Sequence, residues 1–330
     1  MLTKRQNLIE TVRGGSPDRY VNQYEAFKIV SKNPYTAHNP NPAYGAPPIV
    51  DAWGVTKVWQ ENTPGVFPIQ DAEHVVIKDI CDWKQYVNAP TVRYTDEEWE
   101  PFIKLAEEVD RKEYFATHFA APGIFEQCHN LLNMQDCLMA FYEEPEAMQE
   151  LIDYLVDWEM DYAEVVCKYL KPDAVLHHDD WGSQKSTFMS PQMFEEFLLP
   201  GYKKIYGYYK SHGVELIVHH SDSYAQTLVP DMIDMGIDIW QGTMSTNDIP
   251  AIIKEFGGKI TLMGGIDSAL IDRPGWDQDL ARSVVENACR SYGTQFYIPC
   301  LTQGLPISTY PGVYEAVTKE IAEISNDMFH

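Results

Sequence analysis

Paired cysteines, long apolar runs and a surplus of positive charge are all missing from this chain. Its six cysteines (Cys81, Cys128, Cys137, Cys167, Cys289 and Cys300) form no CxxC pair and no framework spacing. That excludes a disulfide scaffold and leads us to expect a reduced, cytoplasmic protein with mostly buried thiols. No apolar stretch approaches the length of a membrane span, and Met1-Leu2-Thr3-Lys4-Arg5 lacks the apolar core of a signal peptide. Lys and Arg number 25 against 49 Asp and Glu, a formal charge of −24. Such a surface repels nucleic acid and anionic lipid and does not invite a polyanionic substrate. Internal repeats and low-complexity linkers are also missing.

What remains is a chain of 330 residues, 45% hydrophobic, long enough for one large barrel or two small domains. Residues 33–48 (NPYTAHNPNPAYGAPP) are rich in Pro and Asn and read as a long loop of the kind that serves as a lid or binding loop. Beyond it, helices alternate with short strands. Asp96 to Lys112 has the pattern of an amphipathic helix. Pro145 to Tyr169 reads as a longer one, with proline in its first turn and Met148, Leu151, Ile152, Leu155 and Met160 at helical spacing. Expected strands are Tyr114–Ala120, Ala174–His178, Leu216–His220, Ile237–Trp240, Ile260–Met263 and Phe296–Cys300. Ser190-Pro191 and Thr246-Asn247-Asp248 signal helix starts.

Several apolar runs end in polar residues: His177-His178-Asp179-Asp180, His219-His220-Ser221-Asp222, Gly265-Ile266-Asp267 and Cys300-Leu301-Thr302-Gln303. In a β/α barrel such ends converge on one mouth, where chemistry is done; a doubly wound sheet gathers ligands at a single crevice. The expected fold is therefore α/β, a (β/α)8 TIM-type barrel spanning 1–330 as one domain, with an N-terminal extension and the 33–48 loop as a lid. His220 and Asp222, two apart at a strand end, share a face, and His219 takes the other. With Cys300 from a second strand, they could supply three protein ligands and leave a fourth position open, the arrangement of catalytic zinc. Taken singly, a His-x-Asp pair is more often just hydrogen-bonded, and Cys300 reads more readily as a buried apolar residue.

The ordered set of motifs Asp179-Asp180-Trp181-Gly182-Ser183-Gln184, Met189-Ser190-Pro191, Phe197-Leu198-Leu199-Pro200, Val218-His219-His220-Ser221-Asp222, Met263-Gly264-Gly265-Ile266-Asp267 and Pro299-Cys300 resembles the uroporphyrinogen decarboxylase superfamily. Pro17-Asp18-Arg19 is similar too. The decarboxylase branch holds a polycarboxylate with N-terminal arginines. Here Tyr20-Val21-Asn22-Gln23-Tyr24-Glu25 follows Arg19, with no such cradle, and the net charge opposes binding, so decarboxylation is rejected.

The other branch comprises corrinoid-dependent methyltransferases, whose coenzyme M members carry a His-x-Cys…Cys zinc site. This chain keeps His220 and Cys300 but has Asp222 at the first cysteine, which would leave a harder, more electrophilic metal. The resemblance then implies a zinc-dependent O-demethylase. It would move a methyl group from a small methoxylated, aromatic substrate to the Co(I) corrinoid (cobalamin) of a partner protein, with His220, Asp222 and Cys300 as catalytic metal ligands. Tyr24, Trp181, Trp240, His178, Asp180 and Gln303 are candidates to line the substrate site; each aromatic also reads as ordinary core, and the aspartates as caps. Glu126 reads by default as a structural salt-bridge partner, and Asp267 and Phe119 as further mouth residues. Open alternatives are another methyl donor (methylamine, betaine, thiol or thioether) and a non-catalytic binding protein on the same barrel. A homodimer is the base-rate expectation.

Overall fold

The computed structural model describes residues 1–329. Its strands are β1 (Phe27–Val30), β2 (Ile49–Val50), β3 (Thr56–Val58), β4 (Phe67–Pro68), β5 (Phe115–Ala120), β6 (Ala174–His178), β7 (Leu216–His220), β8 (Ile239–Thr243), β9 (Thr261–Ile266) and β10 (Tyr297–Leu301). Helices in the first half are α1 (Lys4–Arg13), α2 (Pro34–His38), α3 (Asp96–Glu107), α4 (Ile124–Leu132), α5 (Met134–Glu143) and α6 (Pro145–Tyr169). The second half adds α7 (Pro191–Phe197), α8 (Leu199–Ser211), α9 (Val229–Asp234), α10 (Ile249–Phe256), α11 (Ser268–Ile271), α12 (Gln278–Tyr292) and α13 (Val313–Phe329). Among them, no helix is long and apolar enough to cross a membrane.

Seven parallel strands in the order β1-β5-β6-β7-β8-β9-β10 make the main sheet, curled as a half-barrel of the TIM type with helices around it. The ladder does not close between β10 and β1. Gln23 bridges toward that gap instead: its backbone N–H donates to Pro299 O at 3.3 Å, its side-chain oxygen accepts from Leu301 N at 3.2 Å, and its amide donates to Thr318 Oγ1 at 2.7 Å. Pro299, which has no N–H to give, sits on the strand at this open edge, where a missing donor costs least.

Strand positions agree with the sequence reading to within two residues at their starts, because apolar runs bounded by turns mark them well. Ser190 caps α7 by accepting from Met193 N, and Asp248 caps α10 by accepting from Ala251 N, as their side chains suggest. Helix α6 runs over the expected residues and buries Met148, Leu151, Ile152 and Leu155, each contributing roughly 1.5–3 kcal/mol; Met160 is half-buried. The expected loop at 33–48 is corrected in part. Pro34–His38 forms a helical turn, capped by Asn33 and started by proline at its first position. The segment continues into a small antiparallel sheet, β2-β3-β4.

Alternation sorts the barrel strands. Ala174 and Leu176, Leu216 and Val218, Ile239, Met263, Ile298 and Cys300 form one buried cluster inside the sheet. Val175, Ile217, Trp240 and Leu262 pack outward, with the helices. Continuing the inward parity to the strand ends reaches His178, His220 and Gln241.

Candidate active site at the strand ends

His178 and His220 are neighbours in the β6–β7 register, and their rings lie 4.3 Å apart centre to centre. With Asp180 they bring three potential ligand atoms within 4.8 Å of one another, the one such group among the described residues. His220 Nε2 is 3.7 Å from Asp180 Oδ1. Ligands about 2.1 Å from a tetrahedral zinc stand about 3.4 Å apart, so this edge already has close to the length a shared cation needs.

Each ligand atom is held from behind. His178 Nδ1 pairs with Glu126 Oε2 at 2.8 Å, leaving Nε2 free. Asp180 Oδ1 accepts from Asp222 N at 3.1 Å. His220 Nδ1 is hydrogen-bonded to Gln241 Oε1. Carboxylate and amide partners behind ligating histidines fix ring orientation and tautomer.

Glu126 is placed by Asp179, which is fully buried and accepts from Phe125 N (3.0 Å) and Glu126 N (2.7 Å) at the start of α4. The cap role left open for the aspartates thus belongs to Asp179. Burial and the charge of Glu126 push Asp179 up to about 7.

The mouth is crowded with negative charge. Burial works against a charged His178, but Glu126 and Asp180 overcome it and hold its pKa up at about 10. Burial, then the charge of Asp180, raises Asp222 to about 8. His220 goes the other way, to about 4, through burial and its neighbour His178. Carboxylates clustered around two imidazoles suit a divalent cation, which would displace the proton that His178 otherwise holds, and two imidazoles with one carboxylate are donors that zinc takes readily.

The residues proposed from sequence fall in different places. His178, Asp180 and His220 come together. Asp222 stands beside Asp180 but outside the close group, and so does Cys300. Cys300 Sγ lies 4.0 Å from Gln241 Nε2, and burial pushes its thiol well above its ordinary pKa. Tyr24 is buried, its hydroxyl accepting from Leu305 N at 3.0 Å; burial, then the nearness of Cys300, raises its pKa.

Trp181 and Trp240 are fully buried. The Trp181 indole stacks on His219 at 3.8 Å and donates to Asp179 Oδ2, and the Trp240 indole donates to Ser221 O. Both are packing residues rather than walls of the mouth. Gln303 is buried with its side-chain Nε2 unpartnered. Asp267 accepts from Ser245 N at 2.9 Å and ties neighbouring strand ends, and Phe119 packs against the barrel interior.

The family model for uroporphyrinogen decarboxylase matches residues 121–324. The chain belongs to the uroporphyrinogen decarboxylase family. The matched span carries Glu126, His178, Asp180, His220, Gln241, Cys300 and Gln303, and leaves Tyr24 outside. In three dimensions the chain is similar to a methyltransferase from Methanosarcina mazei, with a TM-score of 0.65 at 16% identity over 98% of this chain and 99% of that one. At that identity the likeness establishes the fold. A glycosylated endo-beta-1,4-xylanase from Gloeophyllum trabeum aligns more loosely, with a TM-score of 0.40 at 11% identity over 72% of this chain and 83% of the other, too loose to argue from. No curated protein matches the chain in sequence.

Sequence reasoning passed over Gln241 and left Glu126 as a plain ion-pair partner. For Gln241 the signal was available: Trp240-Gln241 ends an apolar run, and the inward parity of Ile239 selects the glutamine, not the tryptophan. Glu126 offered no such signal, because its approach to His178 depends on where α4 docks.

Proposed function

We propose that this protein is a metal-dependent methyltransferase that demethylates a small methoxylated, aromatic compound and passes the methyl group to the Co(I) corrinoid of a partner protein. The observation that carries this reading is the His178–Asp180–His220 group at the strand ends of a uroporphyrinogen decarboxylase family barrel. These three residues would hold zinc and leave a coordination position open. Zinc bound there would supply Lewis acidity toward the departing ether oxygen.

In the reaction the methyl carbon–oxygen bond breaks, its electron pair stays on oxygen, and the new carbon–cobalt bond takes its pair from Co(I). Phenolate, with a pKa of about 10, leaves far more readily than an alkoxide, which favours aryl ethers. Glu126 orients His178, and the Asp222 N–H orients Asp180. The unpartnered Gln303 amide offers a hydrogen bond to a substrate oxygen, since a buried donor without a partner is costly until a ligand supplies one.

The ligand set drawn from sequence, His220 with Asp222 and Cys300, shares His220 with this one. We favour the set whose three ligand atoms already lie within 4.8 Å of one another.

The test is elemental analysis of purified protein, followed by methyl transfer from a panel of methoxylated aromatics to free cob(I)alamin. Stoichiometric zinc and methylcobalamin formation that a chelator abolishes are expected. Full activity in metal-free protein, or activity on methylamines and betaines alone, would overturn the reading.

A further inference from the structure

The structure assigns Gln241 a positioning role: it holds His220 as the Nδ1–H tautomer and so turns a free Nε2 lone pair toward His178 and Asp180. The tautomer follows from geometry alone; its consequence for metal binding rests on the reading given under Proposed function.

The orientation of the amide is fixed by its partners. Gln241 is fully buried, and its Nε2 faces the carbonyl oxygens of Leu301 at 3.2 Å and Gln303 at 3.4 Å. Carbonyls accept and never donate, so the NH₂ end must point to them and Oε1 must point to His220. Oε1 has no hydrogen to give. The hydrogen it shares with His220 therefore sits on the imidazole Nδ1. A neutral imidazole, the form that ligates a metal, carries one hydrogen, so with that hydrogen on Nδ1 the Nε2 is left bare.

The sequence builds this reach. Gln241 stands on β8 and its partners follow β10, with β9 in between. Beyond Met263, the register partner of Gln241, β9 contributes only glycines at this level, Gly264 beside Thr243 and Gly265 beside Cys300, which leaves room for the crossing. Gly242, at φ +91°, lies so close to β7 that a Cβ would meet the Ser221 carbonyl carbon at 2.8 Å. On the other side, a Cβ on Gly304 would sit 3.2–3.4 Å from three atoms of the His220 ring, so the main chain after β10 covers the ring. The imidazole is gripped at one nitrogen and over one face, and its remaining nitrogen points to the candidate ligands. Gln241 does not touch the reacting atoms in this arrangement; it acts through His220.

The experiment uses the metal-free full chain labelled with ¹⁵N-histidine, with long-range ¹H–¹⁵N correlations reading the tautomer and His220→Ala identifying the signal. The wild-type chain should show a protonated Nδ1 and an unprotonated Nε2 at His220. Gln241→Leu, which removes the acceptor at similar volume, should convert His220 to Nε2–H and weaken zinc binding roughly 10- to 100-fold by chelator competition. Gln241→Glu, which keeps an acceptor, should retain Nδ1–H. A wild-type His220 carrying its hydrogen on Nε2 overturns the proposal without any variant, and so does a Gln241→Leu protein that keeps Nδ1–H. A tautomer that switches while zinc affinity stays put would uphold the role of Gln241 and bring down the metal reading instead.

Discussion

Strands β6 and β7 each end in two histidines, paired in register as His177 with His219 and His178 with His220, and the two pairs meet different surroundings. The outer pair faces α6 and α8. His177 Nδ1–H donates to Tyr206 Oη at 2.8 Å, Tyr206 O–H donates to His219 Nδ1 at 2.7 Å, and His219 Nε2–H donates to Asp179 O at 3.1 Å. His177 Nε2 also lies 3.2 Å from Glu159 Oε2. Most of the nitrogens in that chain already have a protein partner. The inner pair is satisfied on one side alone, by Glu126 and Gln241, and turns its other nitrogens toward each other and Asp180. Adjacent residues His219 and His220 are thereby held as opposite tautomers. Identical side chains become structural or ligand-ready according to strand parity and to what stands behind the ring.

Removing an inner ring should break the contrast most strongly. His220→Ala is expected to lower zinc affinity by at least about 100-fold, more than loss of an outer-shell partner costs, with little change in denaturant midpoint; chelator competition and urea unfolding measure the two effects. Removing a link of the outer chain should do the reverse. Tyr206→Phe takes the hydroxyl from between His177 and His219 and is expected to cost about 1–3 kcal/mol of stability, while zinc affinity stays within about threefold.

The smallest effect concerns His118, which shares the outward face with His177. It is buried with both ring nitrogens unpartnered, and burial, then the charge of His177, lowers its pKa from 6.5 to about 3. A histidine lowered in the folded state binds its proton more tightly when unfolded. Its cost to stability is therefore absent above pH 6.5 and grows as pH falls toward 3. His118→Leu should melt slightly higher than wild type at pH 7.5, and the gap should widen between pH 6.5 and 4. A gap independent of pH would show that His118 is hydrated or paired.

Much of the fold and part of the site could be read from the residues. The β6 and β7 spans came out to the residue, because Ala174–His178 and Leu216–His220 are uninterrupted apolar runs ending in histidines. The opposite faces of His219 and His220 followed from alternation. Partners across the mouth were harder. Two apart on one strand end, His220 and Asp222 looked like a ligand pair; β7 ends at His220, and Asp222 lies beside Asp180 but outside the close group of ligand atoms. Its backbone N–H donates to Asp180 Oδ1. Which of His178, Asp180 and Cys300 stands nearest His220 depends on register between strands and on the reach of Gln241, and neither is written in local pattern. Trp181 and Trp240 were chosen as aromatic walls because they stand at expected strand ends; their burial comes from helix packing that a linear reading does not supply.

Crystals of zinc-loaded protein, measured on either side of the zinc absorption edge, test the central claim most directly. An anomalous peak about 2.1 Å from Nε2 of both His178 and His220 and from an Asp180 carboxylate oxygen is predicted. A peak held by Cys300 Sγ and Asp222, with His178 Nε2 turned away from the ion, would contradict it.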